Sequence, residues 1–254
     1  MGKHVNHAGS RALTMLVVAL GICAFVGTAE AGRRPFLWVY DTEVLPERGV
    51  ELEQWITQRV MRTPADANDV WWGAILGITD NVELALPMQW THWQKADSVK
   101  FEWYGAELRL RLASADKLEA GPVVPLLRVA VHHQLRAPHA FRIESNAIVS
   151  WDPTEDLHAT ADVGVQVLHD VTDVLATWAV GATYHLGKEV KLGGEFFGEV
   201  FVKDPTPAAR KSFFMFGPVA AWTHGRFWAT FGALGNPGSA GPRMMPRLVW
   251  GISL

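Results

Sequence analysis

From Val50 onward, apolar and polar side chains alternate with a period of two in about twelve successive runs. That single feature limits what the chain can fold into. A period of two places neighbouring residues on opposite faces of a β-strand, so each run has one greasy face and one wet face. The cleanest run sets Leu157, Ala159, Ala161, Val163, Val165 and Val167 against His158, Thr160, Asp162, Gly164 and Gln166. Another sets Leu108, Leu110 and Leu112 against Glu107, Arg109 and Arg111. The first run, within Gly49 to Met61, places Val50, Leu52, Ile56 and Val60 opposite Glu51, Glu53, Thr57 and Arg59; Gln54, Gln58 and Trp55 are its exceptions.

The twelve runs fall near residues 50–61, 70–78, 82–93, 100–112, 121–134, 141–151, 157–167, 174–185, 190–200, 213–222, 227–234 and 245–254. Runs ten and eleven are apolar on both faces and cannot be oriented from the pattern. Connections alternate between tight turns (79–81, 223–225) and longer polar stretches (62–69, 203–211, 235–242). Outer-membrane barrels show this asymmetry, with an even strand number and alternating strands of about ten residues. A soluble sandwich also alternates, but its apolar faces must all share one core. Twelve apolar faces with exposed tryptophans suit lipid better. In hydrocarbon an open sheet edge would leave N–H and C=O groups unpaired, which demands closure. The expected fold is therefore all-β: a transmembrane antiparallel β-barrel of about 12 strands, monomeric, over residues 50–254.

Upstream, Lys3 and Arg11 precede an apolar run from Leu13 to Val26, and Ala29-Glu30-Ala31 closes it in a small-x-small pattern. Residues 1–31 read as a cleaved signal peptide for export to the cell outer membrane, because the run is short of the ~20 residues of a spanning helix. The only cysteine, Cys23, lies inside that run and follows Ile22 where a lipid-attachment site wants a small residue. Disulfides and thiolate metal sites are then excluded from the exported chain. Residues 32–49, with two prolines and no period, read as a periplasmic lead-in packed under or into the barrel. Beyond residue 31 the chain carries 21 basic and 25 acidic side chains, which is no footprint for nucleic acid.

The lead-in and first run, YDTEVLPERGVELEQWITQRV, resemble the start of an uncharacterised family of Gram-negative outer-membrane proteins. Thr42, Glu43, Leu45, Pro46, Gly49, Glu51, Leu52, Glu53 and Trp55 match its opening motif. GITDNVELAL at Gly77 to Leu86 is similar to the hairpin that follows, and KLGGEFFGEV and FGPVAAW to later strands. The group is loosely similar to the barrel transporters named after a phenol-degradation pathway. The resemblance implies an outer-membrane barrel and no established substrate. Such barrels often end in an aromatic residue that the assembly machinery reads; this sequence has Leu254 there, preceded by Leu248, Trp250 and Ile252 at the apolar spacing.

Function follows from the wet face. Its expected lumen-lining residues are Glu51, Glu53, Arg59, Glu83, Glu107, Arg109, Arg111, Arg128, Arg142, Glu144, Asp162, Glu195, Glu199 and Arg247. Side-chain rings of this kind select solutes in channels, so the first expectation is a porin-like passive channel for an unknown small solute. A lumen filled by its own salt bridges is the alternative, since twelve strands lie between the ~8 that side chains fill and the 16–18 that leave water. If the fourth and fifth runs pair with Glu107 opposite Arg128, the two meet on one face, and the fifth and sixth can place Glu144 diagonal to Arg128 and His132. Trp90, Trp151, Tyr184 and Trp250, near strand ends, are the expected interface girdle.

Two other chemistries are weighed. Ser150 and His158 flank the 152–156 turn and, in the simplest register, sit opposite one another; Asp162 or Asp156 would complete a nucleophilic set for a hydrolase. Without a Gly-x-Ser-x-Gly elbow, no catalytic residue is assigned. His132 and His133, as strand neighbours, face opposite sides and cannot share a metal ion. His158 and His185 reach the same side but lack a third ligand, so no metal and no cofactor are expected. The expected partners are outer-membrane lipid, the solute, and the barrel-assembly machinery through the last strand.

Overall fold

In the computed structural model the described residues are 34–63, 65–112, 123–135, 140–168, 173–203 and 212–254. Residues 1–31, expected to be a signal peptide, lie outside them. Twelve strands follow in order: β1 (Val50–Arg59), β2 (Ala67–Thr79), β3 (Val82–Trp93), β4 (Ser98–Arg111), β5 (Val123–Gln134), β6 (Ala140–Trp151), β7 (Leu157–Leu168), β8 (Asp173–His185), β9 (Val190–Lys203), β10 (Phe213–His224), β11 (Phe227–Gly235) and β12 (Met244–Ser253). Each pairs antiparallel with its sequence neighbours, and β1 pairs with β12 through Glu51↔Ser253 to Thr57↔Arg247, closing the sheet into a barrel. Closure removes the last free edge, the condition a sheet in hydrocarbon must meet.

Alternation sorts the side chains as the period requires. Leu108, Leu127, Val129, Ile143, Val165, Val180, Phe196 and Phe231 are exposed on the outer wall, while Glu53, Glu83, Arg109 and Arg128 are buried within. At mid-height the outward positions carry no Asp, Glu, Lys or Arg among the described residues; Gln54 and Ser145 are polar exceptions. We call the end where β1 begins and β12 finishes the near end. It holds the tight turns Asp80–Asn81 and Gly225–Arg226, and Gly225 adopts φ +57°, a conformation that a side chain would strain. The far end holds the 3-10 turn Gln94–Ala96 and the connection between β11 and β12.

The lead-in lies inside the barrel. Phe36, Leu37, Trp38 and Val39 are buried in one apolar cluster with Ala179, Met215, Val219, Trp228, Leu234, Met245 and Val249. This explains β10 and β11, whose two apolar faces hid their orientation. Phe214, Phe216, Trp222 and Phe231 are exposed on the outer wall, whereas Met215, Val219, Trp228 and Leu234 meet the inner segment. One face answers to lipid and the other to the chain's own apolar stretch. Burying each such side chain stabilises by roughly 1.5–3 kcal/mol, which gives this four-residue stretch a firm seat.

Tryptophan placement corrects one expectation. Trp72, Trp90, Trp151, Trp222 and Trp250 take outward register positions, but Trp55, Trp71, Trp103 and Trp228 point into the lumen and Trp38 belongs to the inner segment. The sequence pattern treats a tryptophan as a lipid-facing residue. Inside, Trp38, Trp55 and Trp103 serve as platforms for arginines, Trp71 stacks on Trp55, and Trp228 donates to Glu51.

Candidate functional site

Every expected lumen residue takes an inward position. Glu51, Glu53, Glu107, Arg109, Arg128, Glu144, Asp162 and Glu195 are buried; Arg59, Arg111, Arg142, Glu199 and Arg247 are partly so. The register between β4 and β5 differs from expectation: Arg109, not Glu107, stands opposite Arg128. The ion pair forms across the diagonal, with Arg128 Nη2 at 2.6 Å from Glu107. Two arginines directly opposed would repel, but each finds its own carboxylate, Arg109 binding Glu83 at 2.6 Å. Between β5 and β6, Glu144 pairs with Ala130 and lies diagonal to Arg128 and His132 as expected. It accepts from Arg128 at 2.9 Å and from Arg142 at 2.8 Å. Asn146 extends this network, accepting from Arg128 and donating to Asp162 at 2.8 Å.

The inner segment is tied into this lattice along its length. The backbone N–H groups of Leu37, Trp38 and Val39 all donate to the Glu195 carboxylate. Arg34 binds Glu53 at 2.7 Å, and its carbonyl accepts from Thr230. Arg109 donates to the Asp41 carbonyl, and Leu45 N–H donates to Glu83 at 2.8 Å. Tyr40 lies under the Arg128 guanidinium, 4.1 Å from ring to charge. Two glycines make room: a Cβ at Gly181 would sit 2.5 Å from the Phe36 ring, and one at Gly77 would overlap the Pro46 carbonyl. Buried backbone groups need partners, and a segment without strand neighbours must take them from side chains. The strand carboxylates supply them.

Ser150 and His158 do converge, though not as drawn from the sequence. Ser150 pairs with Thr160 in the register and His158 with Thr183, and the carboxylate between them is Asp41 of the inner segment rather than Asp162 or Asp156. Ser150 Oγ donates to Asp41 at 2.7 Å, and His158 Nε2 lies 3.0 Å from Asp41 while its Nδ1 lies 2.6 Å from Asp152. In a nucleophilic set the imidazole must take the hydroxyl proton. Here the serine proton goes to a carboxylate and both imidazole nitrogens face acids, so the group works as a clamp on Asp41. Burial disfavours the Asp41 charge, but the adjacent His158, Ser150 hydroxyl and Thr42 N–H together hold its carboxyl below the usual range.

The histidine expectations also resolve. His132 points inward, stacked on Trp103 at 4.1 Å, and His133 points outward between Tyr104 and Phe141. The girdle expectation covers Trp90, Trp151, Tyr184 and Trp250. Trp90 stacks on Phe101 toward the far end, Trp151 and Tyr184 are exposed toward the near end, and Trp250 packs on Phe227 and donates to Gln54.

Above the inner segment, toward the far end, a cavity of about 260 Å³ remains. Arg34, Trp38 and Tyr40 contribute its floor. Trp55, Trp71, Gln89, Trp103, Arg142, Gln166, Glu199 and Arg247 are among its walls. The sequence left open whether this segment packs under the barrel or into it; the signal for the second was the match between apolar FLWVY at 36–40 and two strands apolar on both faces.

No protein-family model matches the chain, and no curated protein does. Solved structures do. The COG4313 outer membrane channel from Pseudomonas putida F1 aligns with a TM-score of 0.62 at 9% identity, covering 86% of this chain and 100% of that one. The NanC porin aligns at 0.55 with 11% identity over 81% of this chain and 98% of that one. The KdgM porin, in a complex with disordered oligogalacturonate, aligns at 0.52 with 9% identity over 81% and 99%. At these identities the likeness is one of fold: this chain, a closed barrel of twelve strands, is similar in architecture to these outer-membrane channels and porins.

Proposed function

We propose that this chain is a passive, porin-like channel for small solutes in the outer membrane, with residues 34–45 narrowing its bore. The observation that carries the reading is the combination of a charge-lined lumen and a cavity of about 260 Å³ beyond the inner segment, inside a wall whose outward face is apolar. The near end then faces the periplasm, lipid covers the wall, and β12 is the strand that the assembly machinery reads. Kinship with the phenol-degradation barrels is part of this proposal and rests on the motif from Thr42 to Trp55.

A second reading has its own observation. Buried pairs such as Arg109–Glu83 and Arg128–Glu107 fill much of the bore, as a closed structural barrel would. Planar-bilayer recording of the full chain beside a variant lacking residues 34–45 separates the two. A channel shows small current steps that grow severalfold on deletion. Silence in the full chain with steps in the deletion marks a closed barrel, and silence in both, with the barrel still folded, overturns the channel reading.

A further inference from the structure

Arg247 stands apart from the other arginines of the lumen. Arg34, Arg59, Arg109, Arg128 and Arg142 each bind a carboxylate within 3 Å. Among the described residues Arg247 has no such partner. Its Nε donates to Thr57 Oγ1 at 2.7 Å and its Nη1 to the Leu37 carbonyl at 2.6 Å, and its guanidinium lies 4.2 Å from the Trp38 ring and 5.3 Å from the Trp55 ring. Those contacts aim it, and among the described residues Nη2 has no acceptor; Arg247 lines the cavity wall. A desolvated guanidinium held by neutral groups lacks the anion that its geometry is built to grip.

A second group in the same cavity also lacks a partner. Glu199, on β9, lines the wall three strands away from β12, and among the described residues nothing donates a hydrogen bond to its carboxylate. The cavity thus offers a fork for an anion at one side and an acceptor for a donor at another. Its volume equals roughly eight or nine waters.

We propose that this cavity binds a small amphoteric solute, with a carboxylate on Arg247 and an ammonium or hydroxyl donor toward Glu199. Asp69 and Glu144, also around the cavity, disfavour a second negative charge on the ligand. The proposal rests on the channel reading only for bringing solutes to the lumen. Binding is measured on purified full-length chain in detergent, so a silent bilayer leaves this test intact.

The test is a titration at pH 8 and low salt, read by tryptophan fluorescence, since Trp38 and Trp55 lie against Arg247. Four probes of matched size separate the chemistry: 5-aminopentanoate, pentanoate, pentylamine and glutarate. The expected order places 5-aminopentanoate first, with each of the others weaker by about fivefold or more. R247Q weakens 5-aminopentanoate by about tenfold or more. Because Arg247 also holds Leu37, E199Q is the companion: Glu199 accepts no hydrogen bond from the described residues, and E199Q should erase the preference for 5-aminopentanoate over pentanoate while leaving pentanoate as tight or tighter. Absence of saturable binding overturns the proposal. So does equal binding of pentylamine, or a preference that survives E199Q.

Discussion

Glu195 concentrates the logic of the interior in one side chain. A single carboxylate accepts three consecutive backbone N–H groups from Leu37, Trp38 and Val39, as a strand partner otherwise would. Glu195→Ala would orphan all three at a cost of roughly 1–3 kcal/mol each, whereas Glu195→Gln keeps an acceptor. Limited proteolysis of folded protein should therefore cut within residues 34–45 faster in the alanine variant, with glutamine intermediate. Asp41→Asn tests the clamp at the other bend. It keeps the shape but removes the charge that His158 meets at 3.0 Å, so the inner segment should loosen by a smaller margin than in Glu195→Ala. At this scale the sequence was readable for identity and not for partner. The lumen charges named from parity take inward positions, but Asp69 read as part of a loop and lies on β2, and Asp41 as the acid between Ser150 and His158 was not legible, because residues outside the strands have no period.

The strands were legible nearly to the residue because each carries two demands in alternation. Where β10 and β11 lost that contrast, the cause was a second apolar partner inside. The outward register makes a direct prediction: Val165→Arg at mid-wall should lower folding stability in a bilayer by about 2–4 kcal/mol, measured by denaturant titration into lipid vesicles. The same substitution at inward Gln166 should be far milder, since that side chain lines the cavity. Gly181 supplies the matching test from within. Gly181→Leu fills the place of the Phe36 ring and should displace the inner segment while leaving the β7–β8 and β8–β9 ladders paired, so conductance rises and the strand content seen by circular dichroism stays. The β4–β5 register was the element-level error, and its reason is physical. Long side chains reach diagonally, so an ion pair does not fix which residues stand opposite one another.

For the whole molecule, the inner segment links parts of the chain that are far apart in sequence. It leads directly into β1, yet its N–H groups hold β9 and its side chains and carbonyls hold β11 and β12. β1 and β12 are the two strands whose pairing closes the sheet. The inner segment is thus a mandrel: the last staves of the barrel take inner contacts from the residues that precede β1, and the closing seam joins two strands held to the same core. Wall and occupant therefore hold one another: a change that empties the bore also withdraws inner contacts from the two strands that close it.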